Sequence, residues 1–146
     1  VEAAAAIEAG REEVPRWPLG RLREETFRRG VARAAARGRR ALRAVEADPS
    51  GPRVHEWRKR VKDLWYMARL LRDRWPAPGP PPVAAADRLA DLLGQHQDLA
   101  VLAGWLAGPA ATAAPPAPAR HLIELSRLRR EEILGEAIPA GRRLYG

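Results

Sequence analysis

Proline and glycine divide this chain into four long segments, each with the hydrophobic repeat of an amphipathic helix. The breaks are a turn at 48–52, two proline-rich stretches at 76–82 and 109–118, and Pro15, Pro18 and Gly20, which close a short first segment. Between these breaks, apolar residues recur every three or four positions. Nowhere do β-branched and aromatic residues alternate with polar ones over a useful length. The sequence therefore predicts an all-α fold.

The predicted long helices cover 21–47, 53–75, 83–107 and 118–137, and a short helix is predicted near 2–13. Short turns join the four long helices, which favours an antiparallel four-helix bundle. The chain of 146 residues has the length of one domain. We therefore predict a single helical domain over 1–146, with a short leading helix at 1–14 and the bundle over 20–138.

One face of each long helix is predicted to form the core. In the first helix it consists of Phe27, Val31, Ala34, Ala35, Gly38, Leu42 and Val45. In the second it consists of Val54, Trp57, Val61, Leu64, Trp65, Ala68, Leu71 and Trp75. In the third it consists of Leu89, Leu92, Leu93, Leu99, Leu102, Trp105 and Leu106, and in the fourth of Leu122, Ile123, Leu125, Leu128 and Ile133. Trp57, Trp65, Trp75 and Trp105 are therefore expected in the core, with Trp57 and Trp65 mostly buried.

The side of the second helix opposite its core face is basic. At about 100° per residue, an arc of about 100° contains His55, Arg58, Lys59, Lys62, Tyr66 and Arg69. The polar side of the first helix carries Arg29, Arg33, Arg37, Arg40 and Arg43. If Arg29, Arg33 and Arg40 turn toward the same groove, they form its second wall. The pattern indicates a polyanion-binding surface on a rigid helix, in which Tyr66 either donates to the anion or covers the edge of the core.

The charge of the whole chain favours the same kind of partner. Lysine and arginine total 26 against 18 acidic residues, which gives a formal charge of +8. Lys59 and Lys62 are the only lysines. A bias of composition toward arginine explains the choice of arginine over lysine but not the excess of base over acid. Arginine presents a planar fork that binds phosphate or carboxylate at two points, so the excess favours a polyanionic partner.

The residue types exclude several other functions. The chain has no cysteine, which rules out disulfides, thiolate metal sites and a cysteine nucleophile. His96 and His121 fall on different predicted helices, and their spacing does not fit a zinc site. There is no Ser/His/Asp set, no glycine-rich phosphate loop and no carboxylate cluster of the kind that holds Mg²⁺. We therefore predict a binding module without catalytic residues, metal or cofactor.

The sequence also predicts a location. No apolar run approaches the roughly 20 residues that a membrane span needs. The alanines at the start are flanked by Glu2 and Glu8 rather than by a basic segment, so no signal peptide is predicted. We therefore expect a soluble, cytoplasmic protein.

Two motifs at fixed spacing resemble the conserved-histidine α-helical domain, or CHAD, family. The first is His55-x-x-Arg58-Lys59-x-x-Lys62-x-x-x-Tyr66, and the second is Leu92-Leu93-Gly94-x-x-x-Asp98-Leu99-Ala100-Val101-Leu102. The segments Phe27–Gly30 and Gly38–Leu42 resemble the helix that precedes these motifs, and Arg143–Tyr145 resembles the closing segment of the family. The resemblance runs from about residue 15 to the end. It departs from the family at Gln97, where arginine or histidine is more common and where His96 stands one place early.

The resemblance implies a fold, a ligand and a location. CHAD domains consist of two similar four-helix bundles facing each other across a basic cleft, and they bind inorganic polyphosphate and associate with polyphosphate granules. This chain resembles the second bundle, with 1–14 resembling the tail of the first. The resemblance therefore implies that the basic residues of the second helix bind polyphosphate, with Arg29, Arg33, Arg37 and Arg40 contributing from the first. It further implies either a homodimer that completes a two-bundle cleft or a fragment of a longer protein.

The charge pattern by itself leaves two other functions open. A nucleic-acid-binding helical domain fits the charge equally well, although the stripe lacks the Asn and Gln residues that read base edges, and no helix-turn-helix signature is present. A basic groove that docks an acidic protein partner also remains open.

Overall fold

A computed structural model of the protein describes residues 7–8, 10–11, 13–16, 23–75, 81–108 and 116–146. We label the helices α1 (Glu24–Ala47), α2 (Gly51–Leu70), α3 (Val83–Ala107) and α4 (Pro116–Tyr145). Three-residue 3-10 helices occur at Val14–Arg16 and Arg72–Arg74. No strand occurs among the described residues, so the all-α prediction is confirmed.

The helix ends differ most from the predicted ones at the C-termini of α2 and α4. α2 ends at Leu70 rather than 75, because a turn at Leu71 leads into the 3-10 helix. α4 continues through Pro139 to Tyr145, although a proline is expected to end a helix. Packing of Leu144 and Tyr145 against the core keeps these last turns helical despite the backbone hydrogen bond that Pro139 cannot make. Of the predicted leading helix at 2–13, residues 7, 8, 10, 11 and 13 are helical, and the other positions lie outside the described residues, as do 21–22 of the first long helix.

The four helices form an antiparallel bundle in which each packs against two others. The packed pairs are α1–α2, α2–α3, α3–α4 and α1–α4. Near one end of α1, Gly30 lies against the Met67 side chain, and near the other end Arg53 donates to the carbonyl of Ala44 over 3.3 Å. Consecutive helices joined by short connections pack most simply in this way. The bundle prediction is therefore confirmed.

The core lies where the apolar faces of all four helices meet. Its buried members are Ala34, Leu42, Val45, Val54, Trp57, Val61, Leu64, Leu89, Ala90, Leu93, Leu134, Ala137 and Tyr145. Most residues of the predicted core faces of α1 and α2 are buried. The exceptions are partly buried at the edge, and they are Phe27, Ala35, Trp65, Leu71 and Trp75, of which the last two lie beyond the end of α2. Trp57 is the largest fully buried side chain of the core, at 0 % exposure.

Two glycines make room for the largest core rings. A Cβ placed on Gly141 would lie 2.5 Å from the Trp57 ring, and one placed on Gly38 would collide with the Tyr145 ring. Both contacts would be closer than real Cβ atoms tolerate. Gly38 of α1 therefore accommodates the Tyr145 ring, and Gly141 of α4 accommodates the Trp57 ring.

Adding one methyl group at Gly141 is expected to destabilise the protein. In Gly141→Ala the new Cβ overlaps the Trp57 ring, which is fully buried and cannot move aside, so we expect a loss of about 1–3 kcal/mol. Gly135→Ala in the same helix is the matched control, because nothing lies within 4 Å of that position. There the better helix propensity of alanine should stabilise by about 0.5–1 kcal/mol. Urea unfolding of both variants measures the difference, and equal stabilisation would contradict the packing of Trp57 on Gly141.

The far end of the α3–α4 hairpin is less buried than predicted. We define the hairpin tip as residues 97–107 and 116–132. The predicted core residues Leu102, Trp105, Leu122, Leu125 and Leu128 lie here, and all are exposed by 41–55 %. None of the tip residues belongs to the core described above. α4 instead buries Ala119, Ser126, Leu134 and Ala137, together with Ile133, for which the prediction is confirmed. The prediction for the five exposed side chains was wrong, because periodicity identifies an apolar stripe but not the element that covers it.

None of the helices in the described ranges is both long and apolar enough to cross a membrane.

Candidate functional site

The basic stripe of His55, Arg58, Lys59, Lys62, Tyr66 and Arg69 lies on α2. Ser50 precedes this helix, and Pro52 occupies its first turn, where a missing N–H costs little. Val54, Trp57 and Val61 are buried and fix the rotation of the helix about its axis. The stripe is therefore turned outward, with His55, Lys59, Tyr66 and Arg69 exposed and Arg58 and Lys62 half-buried. The structure brings all six predicted residues of α2 together on one side.

Arg58 lies across the neighbouring helix α3. Its guanidinium passes 3.8 Å from the position that a Cβ would take on Gly94, so the glycine allows the arginine to lie flat against α3. The Arg58 Nε is buried and has no hydrogen-bond partner in the described part of the chain. Arg58 therefore has a fixed position and unused hydrogen-bonding capacity.

Two further cations of the stripe rest on aromatic rings. The Lys62 Nζ lies 5.6 Å from the ring centres of both Trp65 and Tyr66, and the Arg69 guanidinium carbon lies 4.6 Å from the ring centre of Trp65. The two rings are themselves in contact, with their centres 4.8 Å apart. Such cation–π contacts hold the charges in position without neutralising them. This explains why Trp65 lies at the edge of the core rather than inside it.

The groove beside the stripe has acidic residues on its other side. Arg58, Lys62 and Trp65 line one wall of a groove of about 410 Å³ between α2 and α3. The other wall is formed by Asp87, Ala90, Asp91, Gly94, Gln95 and Asp98 of α3. Sequence reasoning missed this acidic wall. The i, i+4 spacing of Asp87 and Asp91, with Asp98 one heptad after Asp91, was the signal that could have revealed it.

The structure does not bring the arginines of α1 into this groove. Arg37 and Arg40 line a separate depression of about 390 Å³, together with Ala41 of α1 and Glu56 and Arg60 of α2. Arg29 and Arg33 line another one, with Arg29 paired to Glu25 over 2.9 Å. The expected groove with two basic walls is therefore not formed, because the rotation of α1 turns its arginines to the other side of α2.

An ion-pair network on α2 lies between the cations of the basic stripe and the arginines of α1. Glu56 pairs with Lys59 over 2.8 Å and with Arg60 over 2.7 Å, and Arg60 pairs with Asp63 over 2.7 Å. Hydrogen bonds from Lys59 and Arg60 lower the pKa of Glu56 to about 2, so it stays ionised at neutral pH. Lys59 is therefore partly neutralised, which distinguishes it from Lys62 on the same stripe.

His96 is buried inside the bundle rather than on its surface. Its exposure is 1 %, and its Nε2 accepts a hydrogen bond from the Arg130 Nε over 3.4 Å. The Nδ1 is buried without a partner among the described residues. Burial, with a smaller contribution from the Arg130 charge, lowers the pKa of His96 to about 4. A neutral imidazole of this kind serves packing and does not contact a ligand at the basic stripe.

The described residues contain no group of three or more His, Cys, Asp or Glu side chains that could hold a metal ion. His121 is exposed on α4, whereas His96 is buried. The cations of the stripe that rest on aromatic rings are suited to binding anions.

Comparison with known proteins gives one match. The family model of the CHAD domain matches residues 2–107. The match includes both motifs and the preceding helix, and it ends before Arg143–Tyr145, which the sequence resemblance had also included. No curated protein and no solved structure matches the chain.

Proposed function

The chain belongs to the CHAD domain family, and on that premise we propose that it binds inorganic polyphosphate along the basic stripe of α2. The observation that carries the proposal is that several cations of the stripe have no ion-pair partner. In the ranges that the structure describes, Arg58, Lys62 and Arg69 have no carboxylate within 4.0 Å. Arg60, on the side of α2 that meets Arg37 and Arg40, is instead paired with Glu56 and Asp63. Unpaired cations on one side of one helix are available to an external anion.

The spacing of the stripe suits a linear polyanion. From His55 to Arg69 the helix rises about 21 Å, which is long enough to follow several phosphate groups. Polyphosphate carries charge on every unit and has no base to read, so a row of cations is sufficient for recognition. Each phosphate that a cation neutralises releases counterions, which makes the affinity depend steeply on salt.

The acidic wall limits where the polyanion lies. Asp87, Asp91 and Asp98 repel phosphate from the floor of the groove between α2 and α3. Arg58 offsets part of this repulsion from its position across Gly94. We therefore propose that polyphosphate follows the outer side of α2, where His55, Lys62 and Arg69 project.

Single-stranded nucleic acid is the second candidate ligand. Tyr66 is 56 % exposed and lies against Trp65 within the stripe, so its ring is accessible to a base. Aromatic rings between cations are the usual surface for stacking bases of single strands. A competition between long-chain polyphosphate, single-stranded RNA, duplex DNA and an acidic peptide at fixed ionic strength separates these ligands and the acidic partner.

Charge reversal within the stripe is expected to weaken polyphosphate binding. Lys62→Glu should lose about 1–3 kcal/mol of binding free energy, because it removes an unpaired, positioned cation. Lys59→Glu should lose less, because Lys59 already pairs with Glu56. Titration calorimetry at several salt concentrations measures both losses, and the salt slope should flatten in each variant.

Arg129→Glu is the matched control for these variants. It makes the same change in charge on α4, where Arg129 pairs with Glu132. If all three variants bind equally well and remain folded, the site assignment is wrong. If Arg129→Glu weakens binding as much as Lys62→Glu does, binding reflects net charge rather than the stripe.

We further propose that the chain acts as a binding module and not as an enzyme, and that it works in the cytoplasm at polyphosphate granules. The first part rests on the absence of a catalytic set in the sequence, and the second rests on the family alone.

A further inference from the structure

A depression between α3 and α4 contains two arginines that the proposed function does not use. Its volume is about 560 Å³, which is larger than the groove beside the basic stripe and within the range of small-molecule sites. The N-terminal part of α3 and the C-terminal part of α4 form its walls, and it shares no lining residue with the groove between α2 and α3. The depression is therefore a separate place for a ligand.

The two arginines come from opposite walls and have no ion-pair partner. Arg88 is the only basic residue of α3, and Arg143 faces the depression from α4. Asp87 and Asp91 are neighbours of Arg88 along its helix, but they line the groove with α2 instead. In the described ranges neither guanidinium has a carboxylate within 4.0 Å, and both side chains are exposed. Both are therefore available to an external anion.

The surface between these arginines is apolar, with one acidic residue at its far end. Leu92, Ala140 and Leu144 line the depression, and they are half-buried because they also pack against the core. Glu136 lies on the same side of α4 as Arg143, two turns earlier, which is about 10 Å along the helix axis. The depression therefore combines a cationic end, an apolar floor and an anionic end.

We propose that this depression binds a small organic carboxylate that has an apolar body and a hydrogen-bond donor at its far end. The carboxylate accepts hydrogen bonds from the guanidinium groups of Arg88 and Arg143, whose planar forks match its two oxygens. The apolar body covers Leu92 and Leu144, and the donor reaches the Glu136 carboxylate. Two arginines and one glutamate give the lining a formal charge of +1, which balances a ligand with one negative charge.

A chain of phosphates does not suit this depression. Polyphosphate carries charge on every unit, so Glu136 repels it and the apolar floor gives it nothing to bind. The site therefore differs from the stripe of α2 in the class of its ligand. The proposal does not depend on what the stripe binds.

An NMR titration of the whole chain with 4-hydroxyphenylacetate tests the proposal. This probe has a carboxylate, an apolar ring and a hydroxyl donor at the opposite end. A ligand of this size is expected to bind with a dissociation constant of about 1 mM. The largest changes in amide chemical shift are expected in 85–92 and 136–144 and not in the stripe. Inorganic triphosphate should not displace the probe.

Two variants should weaken the contact with the carboxylate. Arg88→Gln and Arg143→Gln should each raise the dissociation constant by ~10-fold or more, because each removes a charge-assisted hydrogen bond. Arg120→Gln is the matched control, since Arg120 is exposed on α4 and does not line the depression. All three arginines are exposed, so the variants are expected to fold.

Phenylacetate measures the part of Glu136. It lacks the hydroxyl group, so it should bind the wild type ~5-fold more weakly than 4-hydroxyphenylacetate does. In Glu136→Ala the two probes should bind equally well, because the hydroxyl group has lost its acceptor. A preference that persists in this variant overturns the assignment of the donor end to Glu136.

Three results overturn the whole proposal. The first is that 4-hydroxyphenylacetate causes no shifts at about 10 mM, well above the expected dissociation constant. The second is that its shifts centre on the stripe of α2. The third is that folded Arg88→Gln and Arg143→Gln bind the probe as tightly as Arg120→Gln does.

Discussion

Trp57→Ala is expected to lower the free energy of unfolding by about 3–5 kcal/mol, the largest effect of any single change to the core. The Trp57 side chain is 0 % exposed and lies in the cluster where all four helices meet. Its removal loses apolar burial and leaves a cavity that Gly141 cannot fill, because that glycine has no side chain. Calorimetry should show a melting temperature lower by roughly 10 °C or more.

Trp65→Ala gives the comparison within the same helix. Trp65 is half-buried, and its ring supports Lys62 and Arg69, so the loss should be only about 1–2 kcal/mol. Equal losses for the two tryptophans would contradict the difference in burial between them. A Trp57→Ala variant with an unchanged melting curve would show that α2 is rotated differently about its axis.

The two faces of α2 could be predicted because one helix carries both. Its core residues recur with the helical period, and once Trp57 and Val61 are buried the basic residues must point away from the core. The same reasoning placed the core face of α1 correctly. Local periodicity therefore determines which side of a helix is buried when another helix covers its whole length.

The surroundings of the site could not be predicted from one helix at a time. Whether Arg37 and Arg40 face the same groove as Lys62 depends on how α1 and α2 are rotated relative to each other, and the sequence does not state this rotation. The spacing of Asp87, Asp91 and Asp98 shows that they share one side of α3, but that this side lies opposite Lys62 again depends on how the helices are rotated. At the hairpin tip, Leu102 and Leu125 follow an apolar period, but no helix of the described chain covers them.

A second large effect is expected from His96, the one histidine buried in the described chain. In the folded protein burial holds its pKa at about 4, whereas the ordinary value is 6.5. Between these two pH values the unfolded chain binds a proton that the folded protein excludes, so acid favours unfolding. The contribution of His96 to stability is therefore fully present above pH 6.5 and is lost as the pH falls through about 4.

Lowering the pH from above 6.5 to about 4 should therefore remove about 3 kcal/mol of unfolding free energy, since each pKa unit corresponds to about 1.4 kcal/mol. Urea unfolding across this range measures the loss, and in His96→Gln that part of the pH dependence should disappear. His121→Gln is the matched control, because His121 is exposed and should leave the dependence unchanged. Glu56, whose pKa is lowered from 4.5 to about 2, adds to the loss only at the low end of this range, where the unfolded carboxyl begins to bind a proton, and this part remains in His96→Gln. If the unfolding free energy depends on pH in the same way in wild type and in His96→Gln, His96 is not responsible for the loss. The loss would then come from the carboxylates.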